Sequence, residues 1–217
     1  MIRYHRRVRL LAAALSAVAG FVDAIGFIES RGFFVSFMSG NSTRLGVGLS
    51  HGTAPAVIAA GLIATFVAGV VLGSMTGHFA GSHRRTAVLM LVAALLGAAA
   101  SLGMTGMFPT ATICMALAMG SENAVFERDG DVQIGVTYMT GTLVKFGQRM
   151  AMQLRGGARY TWVPYLLLWL GLACGAWAGA AAHAVFGPGA LWIAAAAAAG
   201  LAIFAAATRH HPDENIA

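Results

Sequence analysis

Charge is scarce in this sequence: Asp, Glu, Lys and Arg make up 10% of its 217 residues, against roughly 25% in an ordinary soluble domain. That shortage excludes a conventional water-soluble globule. Cysteine is almost missing too. Cys114 and Cys174 both fall inside apolar stretches, so there is neither a disulfide framework nor a metal-ligand spacing, and both read as small packing residues. No His-Glu-x-x-His run occurs, and no phosphate-binding glycine loop with its lysine. No catalytic residue, metal site or cofactor is therefore assigned. Acids number 8 against 14 Lys and Arg, giving a net charge of +6. In a soluble protein that excess would suggest nucleic acid. Here the bases sit at the ends of apolar runs rather than on one face, which fits orientation signals and lipid-headgroup contacts and excludes nucleic acid as a partner.

What is abundant points to a bilayer. Hydrophobic residues make up 58% of the chain, glycine occurs 28 times, and the mean hydropathy is +0.74. Spanning helices tolerate few charges and pack closely through small residues. Apolar stretches run over Leu10–Ile28, Ala54–Ala80, Thr86–Met107, Pro109–Phe126, Tyr160–Phe186 and Leu191–Thr208. Each is near the roughly 20 residues that a crossing needs, so the expectation is an all-α polytopic bundle of six spans forming a single membrane domain over 1–217. The basic start (Arg3, Arg6, Arg7, Arg9) followed by an apolar run resembles a signal peptide, but no small-residue cleavage site precedes a polar chain; the run reads as a first span. Two shorter segments, Gly32–Ser50 and Val132–Met150, mix glycine, hydroxyls and cations with apolar residues. If neither crosses, the N-terminal arginines, Arg84, Arg85, Arg128, Arg149, Arg155, Arg159 and Arg209 share one side and only Arg31 is left outside. Cytoplasmic loops carry the excess of Lys and Arg. This arrangement therefore predicts re-entrant or short motif helices, both termini in the cytoplasm and a bacterial inner-membrane location.

The chain repeats itself. Phe37-Met38-Ser39-Gly40-Asn41-Ser42-Thr43-Arg44-Leu45-Gly46 aligns without gaps to Tyr138-Met139-Thr140-Gly141-Thr142-Leu143-Val144-Lys145-Phe146-Gly147, 101 residues on. Upstream, Gly20, Asp23 and Ala24 match Gly120, Asn123 and Ala124 at an offset of 100; downstream, Gly69, Gly73 and Gly77 match Gly171, Gly175 and Gly179 at 102. The halves are 8–107 and 109–208. Three crossings per half place the second copy upside down relative to the first, the inverted arrangement of many secondary transporters, whose sites form at the junction of the halves. The glycine ladders put small residues on one helix face for close packing between the halves.

Within the paired motif, Ser39 and Thr140 precede Gly40 and Gly141 and could cap helix N-termini, where backbone N–H groups and the dipole favour an anion. Arg44 and Lys145 would then add two cations. Asp23 lies deep in the first span, at a cost of at least about 2.5–3.5 kcal/mol for a charge at the centre, so it needs a partner among Arg44, Lys145 and Asn123, or a proton. These residues, with Asn41 and Thr142, form the expected site for a small anionic or carboxylate-bearing solute; the alternative is that Arg44 and Lys145 only reach headgroups. Glu122 raises the same question as Asp23, or lies with Glu127, Arg128, Asp129 and Asp131 in a solvated loop. His78 and His183 read as structural groups. An intramembrane hydrolase using Ser39 with one of these histidines is a further alternative, weakened by the recurrence of the motif around Thr140.

Gly20-Phe21-Val22-Asp23-Ala24, Phe37-Met38-Ser39-Gly40-Asn41, Gly120-Ser121-Glu122-Asn123-Ala124 and Tyr138-Met139-Thr140-Gly141-Thr142 resemble the paired signatures of the YoaK family of bacterial inner-membrane proteins, over nearly the whole chain. The resemblance implies an integral membrane protein and no particular activity. Ser121-Glu122 departs from the apolar residue and glutamine usual in that family, and Ser39 from its threonine. The reading is thus a small-solute transporter or channel in the bilayer, with a homodimer permitted. A membrane scaffold or accessory subunit without transport is the competing one.

Overall fold

The computed structural model describes residues 6–208 except Thr53 and Asp129; Arg3, Arg209 and Asp129, assigned to loops and termini above, lie outside the described residues. The described chain is built from α-helices: α1 Arg6–Glu29, α2 Met38–Ser50, α3 Ala54–Ala80, α4 Arg84–Met104, α5 Phe108–Glu122, α6 Met139–Leu154, α7 Val163–Phe186 and α8 Leu191–Ala207. One two-residue antiparallel pair, β1 Glu127–Arg128 with β2 Asp131–Val132, closes the loop after α5. Runs of Ala, Leu and Val form helices in lipid because only there does every backbone group find a partner within the segment. Breaks fall where the sequence supplies them. Gly81 (φ +54°) separates α3 from α4, and Gly187 (φ +57°) separates α7 from α8. Pro109 and Pro164 stand in the first turns of α5 and α7, where a missing N–H costs nothing.

Among the described residues, three helical stretches are long and apolar enough to cross a membrane: Arg6–Glu29, Ala54–Met104 and Val163–Ala207. The second and third each contain two helices, α3 with α4 and α7 with α8. At 15 residues α5 is about 22 Å long. The 3-10 turn Asn123–Phe126 that continues it adds about 8 Å, enough for the roughly 30 Å hydrocarbon core. Val57, Val67, Val71, Phe79, Trp177 and Ile203 are more than half exposed. Such a surface is a liability in water and is what a lipid-facing helix presents. The core holds Leu15, Val22, Ile25, Leu89, Leu96, Met115, Met119 and Leu191.

Glycine contacts fix the directions of the helices. On α7, Gly171, Gly175 and Gly179 abut Ala13, Ala17 and Phe21 of α1 in turn, so these helices are parallel. Gly69 and Gly73 of α3 abut Leu117 and Ser121 of α5, a second parallel pair. Gly97 and Gly103 of α4 meet Trp192 and Pro188, so α8 is antiparallel to α4. Val8, Leu11 and Leu15 of α1 share one core cluster with Ala202 and Ala205, and Val18, Val22 and Ile25 share the other with Ala190, Ala194 and Ala198, so α1 also opposes α8. Gly103 also lies near Ala111 across the α4–α5 turn, so α5 runs against α4. It follows that α1, α4 and α7 run one way and α3, α5 and α8 the other.

Because α1 and α3 run oppositely, the segment between them enters and leaves at one end of the bundle; the segment between α5 and α7 does the same at the other end. The expected short motif helices are α2 and α6, about 20 and 24 Å long, and neither crosses. Three expectations need correction. The fifth span begins at Val163, because Tyr160 has φ +61° and stands outside the helix. The glycine ladders match by contact at an offset of 106, not 102, since Gly69 and Gly73 occupy on α5 the places that Gly175 and Gly179 occupy on α1. Glu127 is not in a solvated loop: its Oε1 pairs with Arg84 at 3.2 Å and its Oε2 accepts a hydrogen bond from Ser74.

Candidate functional site: a cleft where two motif turns meet

The extended stretches that precede α2 and α6 are buried. Phe33, Val35 and Ser36 in the first, and Ile134, Val136 and Thr137 in the second, lie inside the bundle. Backbone buried this way must be satisfied, and polar side chains on the neighbouring helices do it. Asp23 Oδ1 accepts the N–H groups of Val35 and Ser36, each at 2.8 Å. Asn123, one repeat later, accepts from the Thr137 hydroxyl at 3.1 Å and donates to Met119 O at 3.0 Å. Ser16 of α1 donates to Val136 O at 2.7 Å, tying the second stretch to the first half of the chain. Asn41 clamps Phe34, accepting its N–H at 3.0 Å and donating to its carbonyl at 2.7 Å.

These anchors bring the two turns together. Ser36, Phe37, Met38, Ser39, Thr137, Tyr138, Met139, Thr140 and Gly141 line one cleft of about 270 Å³, with Phe66 of α3 on its wall. A second cavity of about 460 Å³ shares Ser36, Phe37, Thr137 and Met139 with the first and extends along α1 and α7 to Asp23, Phe27, Phe34 and Ala176. Of the expected site residues, Ser39, Thr140 and Gly141 line the cleft, and Asp23 lines the adjoining cavity. Gly40 packs against the rings of Phe34 and Phe37. Asn41, Asn123 and Thr142 are buried beside the turns but line neither space.

The cationic lining does not form. The Arg44 guanidinium lies 5.0 Å from the Phe33 ring centroid, beside Gly32, and Lys145 is on the exposed side of α6. Neither lines the cleft or the cavity. The reason is register: α2 and α6 start at Met38 and Met139, so each cation stands six residues into its helix, beyond the first turn. For the same reason Ser39 and Thr140 are not caps. They sit inside the first turn, while Phe37 and Tyr138 occupy the cap positions with no side-chain hydrogen bond. Asp23 likewise takes backbone N–H groups in place of the expected Arg44, Lys145 or Asn123. The sequence pattern marks neither Ser36 and Thr137 nor Phe27 and Phe34, and holds Phe37 only as the first residue of the repeat; one position upstream of that repeat, Ser36 and Thr137 also match at 101.

Outside the cleft, His183 Nε2 meets Glu29 Oε1 at 2.6 Å, joining α7 to the end of α1, and His78 is exposed with its ring against Phe79. Neither histidine approaches Ser39 across the cleft lining. Glu122 is fully buried and neither carboxyl oxygen has a hydrogen-bond partner among the described residues.

Comparison with known proteins agrees with the membrane architecture. The family described as "Protein of unknown function (DUF1275)" matches residues 11–204. UPF0700 transmembrane protein RA0705 of Rhizobium meliloti (strain 1021) is 38% identical over 193 residues, covering 87% of this chain and 81% of that protein. No solved structure matches.

Proposed function

Taking as premise that the chain belongs to the DUF1275 family of membrane proteins, we propose that it is a small-solute transporter or channel whose site lies at the junction of two inverted halves. The observation that carries this reading is the cleft itself: two turns 101 residues apart in the chain, each a hydroxyl residue, an aromatic, Met and a second hydroxyl residue, line one space. A packing motif has no need to leave a cavity at its own repeat. Binding spaces in transporters form at such junctions, where irregular backbone is tolerated because it lines a cavity.

Inversion draws support from the helix directions, since α1 opposes α5, α3 opposes α7 and α4 opposes α8. The matched contacts also support duplication: Gly20 abuts Leu172 and Ala176, and Gly120 abuts Phe66 and Val70, both pairs 106 residues apart. The starts of α1, α4 and α7 fall at one end, and so do Arg6, Arg7, Arg84, Arg85, Arg155 and Arg159. This supports a cytoplasmic placement of that end in a bacterial inner membrane. An anionic solute draws no support from Arg44 and Lys145 as they are placed.

Flux measured in vesicles reconstituted with the purified protein tests the reading. Gly141→Trp adds a large ring where no heavy atom lies within 4 Å of a new Cβ, and so should block the cleft while leaving the fold intact. The expected result is a solute flux that this substitution abolishes. The same flux in Gly141→Trp and in the parent protein would refute the site. A scaffold role is favoured by one observation, that Asp23 serves the backbone; it requires Asp23→Asn to lower stability with no transport defect.

A further inference from the structure

The cavity beside the cleft has a chemistry of its own, and the geometry points to a small organic cation, of ammonium type, as its occupant. This rests on the proposed transport site and supplies its substrate class. Among the described residues, Asp23 is the only charged one lining either space. Among the described residues Arg84 pairs with Glu127 and His183 with Glu29, while the partners of Asp23 are hydrogen-bond donors of the turn at Val35 and Ser36. Two backbone N–H groups hold its Oδ1, but dipoles orient a carboxylate without cancelling its charge, which at membrane depth is offset by a counter-charge or a proton; a cationic solute supplies the first.

The rest of the lining selects the kind of cation. Phe27, Phe34 and Phe37 share the cavity wall with Asp23. Their rings are coupled, with centroids 4.9 Å apart for Phe27 and Phe34 and 5.2 Å for Phe34 and Phe37. Aromatic faces beside a carboxylate are the recognition chemistry of quaternary and alkyl ammonium groups. A bare metal cation is a poor fit, since hard cations take six or more oxygen ligands and the only polar side chains on the wall are Asp23, Ser36 and Thr137. A volume of about 460 Å³ suits a small organic molecule. Ser36 and Thr137 line both the cavity and the cleft, so the two spaces adjoin along one route for the same solute.

The test is equilibrium binding of radiolabelled tetramethylammonium to the full chain in lipid nanodiscs, with acetate and potassium as competitors. Saturable binding should appear that potassium and acetate do not displace. Asp23→Asn keeps an oxygen for the two N–H groups and should weaken binding by about tenfold or more, and Phe37→Leu by about threefold to tenfold. Arg44→Gln and Lys145→Gln should leave it unchanged. A folded Asp23→Asn protein that binds tetramethylammonium as the parent does would overturn the inference. So would displacement by acetate, or proton flux sensitive to Asp23→Asn in a protein that binds no ammonium ion. Flux of some other solute, blocked by Gly141→Trp without ammonium binding, would overturn the substrate class and leave the transport reading standing. Binding lost in Asp23→Asn without flux of any solute would do the reverse.

Discussion

Asp23 and Glu122 are both acids inside the apolar scaffold, and they are held in opposite ways. Asp23 accepts two backbone N–H groups and faces a cavity; Glu122 is fully buried and neither oxygen has a hydrogen-bond partner among the described residues. The residue at the corresponding place in the first half is Val22, also fully buried, so the architecture accepts an apolar side chain there. An unsatisfied buried polar group costs about 1–3 kcal/mol. Glu122→Val should therefore raise the thermal unfolding temperature of the detergent-solubilised protein, by an amount corresponding to about 1–3 kcal/mol. A lowered unfolding temperature would mean that the carboxyl has a structural partner. At this scale the sequence disclosed which residues are polar within the spans, and Asp23 stood out for its depth. It could not disclose that the partners would be the N–H groups of Val35 and Ser36, because a backbone donor leaves no mark in side-chain pattern.

Among the elements, the parallel pairs α1–α7 and α3–α5 are set by glycine. A Cβ at Gly20 would overlap the Leu172 carbonyl and one at Gly175 the Ala17 carbonyl, whereas Gly61 on α3 has no heavy atom within 4 Å of such an atom. Backbone cannot yield as a side chain can. Gly20→Leu should force α1 from α7 and lower the unfolding temperature or the yield of monodisperse protein strongly, while Gly61→Leu, facing lipid, should change neither. Equal effects of the two would place the helix interface elsewhere. The spans and both short helices were legible from hydropathy, and the ladders from spacing. Their mutual register was not. A ladder with glycine every fourth residue superposes on itself after one turn, and composition favours the wrong register: 102 matches three glycines, whereas 106 matches two and sets Gly77 against His183. Three residues separate α2 from α3 and eight separate α6 from α7. With α6 three residues longer than α2, and α3 starting three residues earlier relative to its ladder than α7, the net gain of five carries the motif offset of 101 to the 106 seen in the contacts.

For the molecule as a whole, the arrangement is one of exchange: α1 leans on α7 and α5 on α3, helices that are not neighbours in the chain. Ser16 bonding to Val136 O is the same exchange in a single hydrogen bond. The turns enter from opposite ends and meet at Ser39 and Thr140 on the cleft wall, and every functional statement made of this protein depends on that meeting. It can be measured directly by placing Ser39→Cys and Thr140→Cys together in a chain carrying Cys114→Ala and Cys174→Ala, in native membranes, and adding a short bifunctional thiol reagent. The expected result is an intramolecular cross-link in the double variant and none in either single one. Two cysteines that each react with a small monofunctional thiol reagent, yet never join to one another, would contradict it.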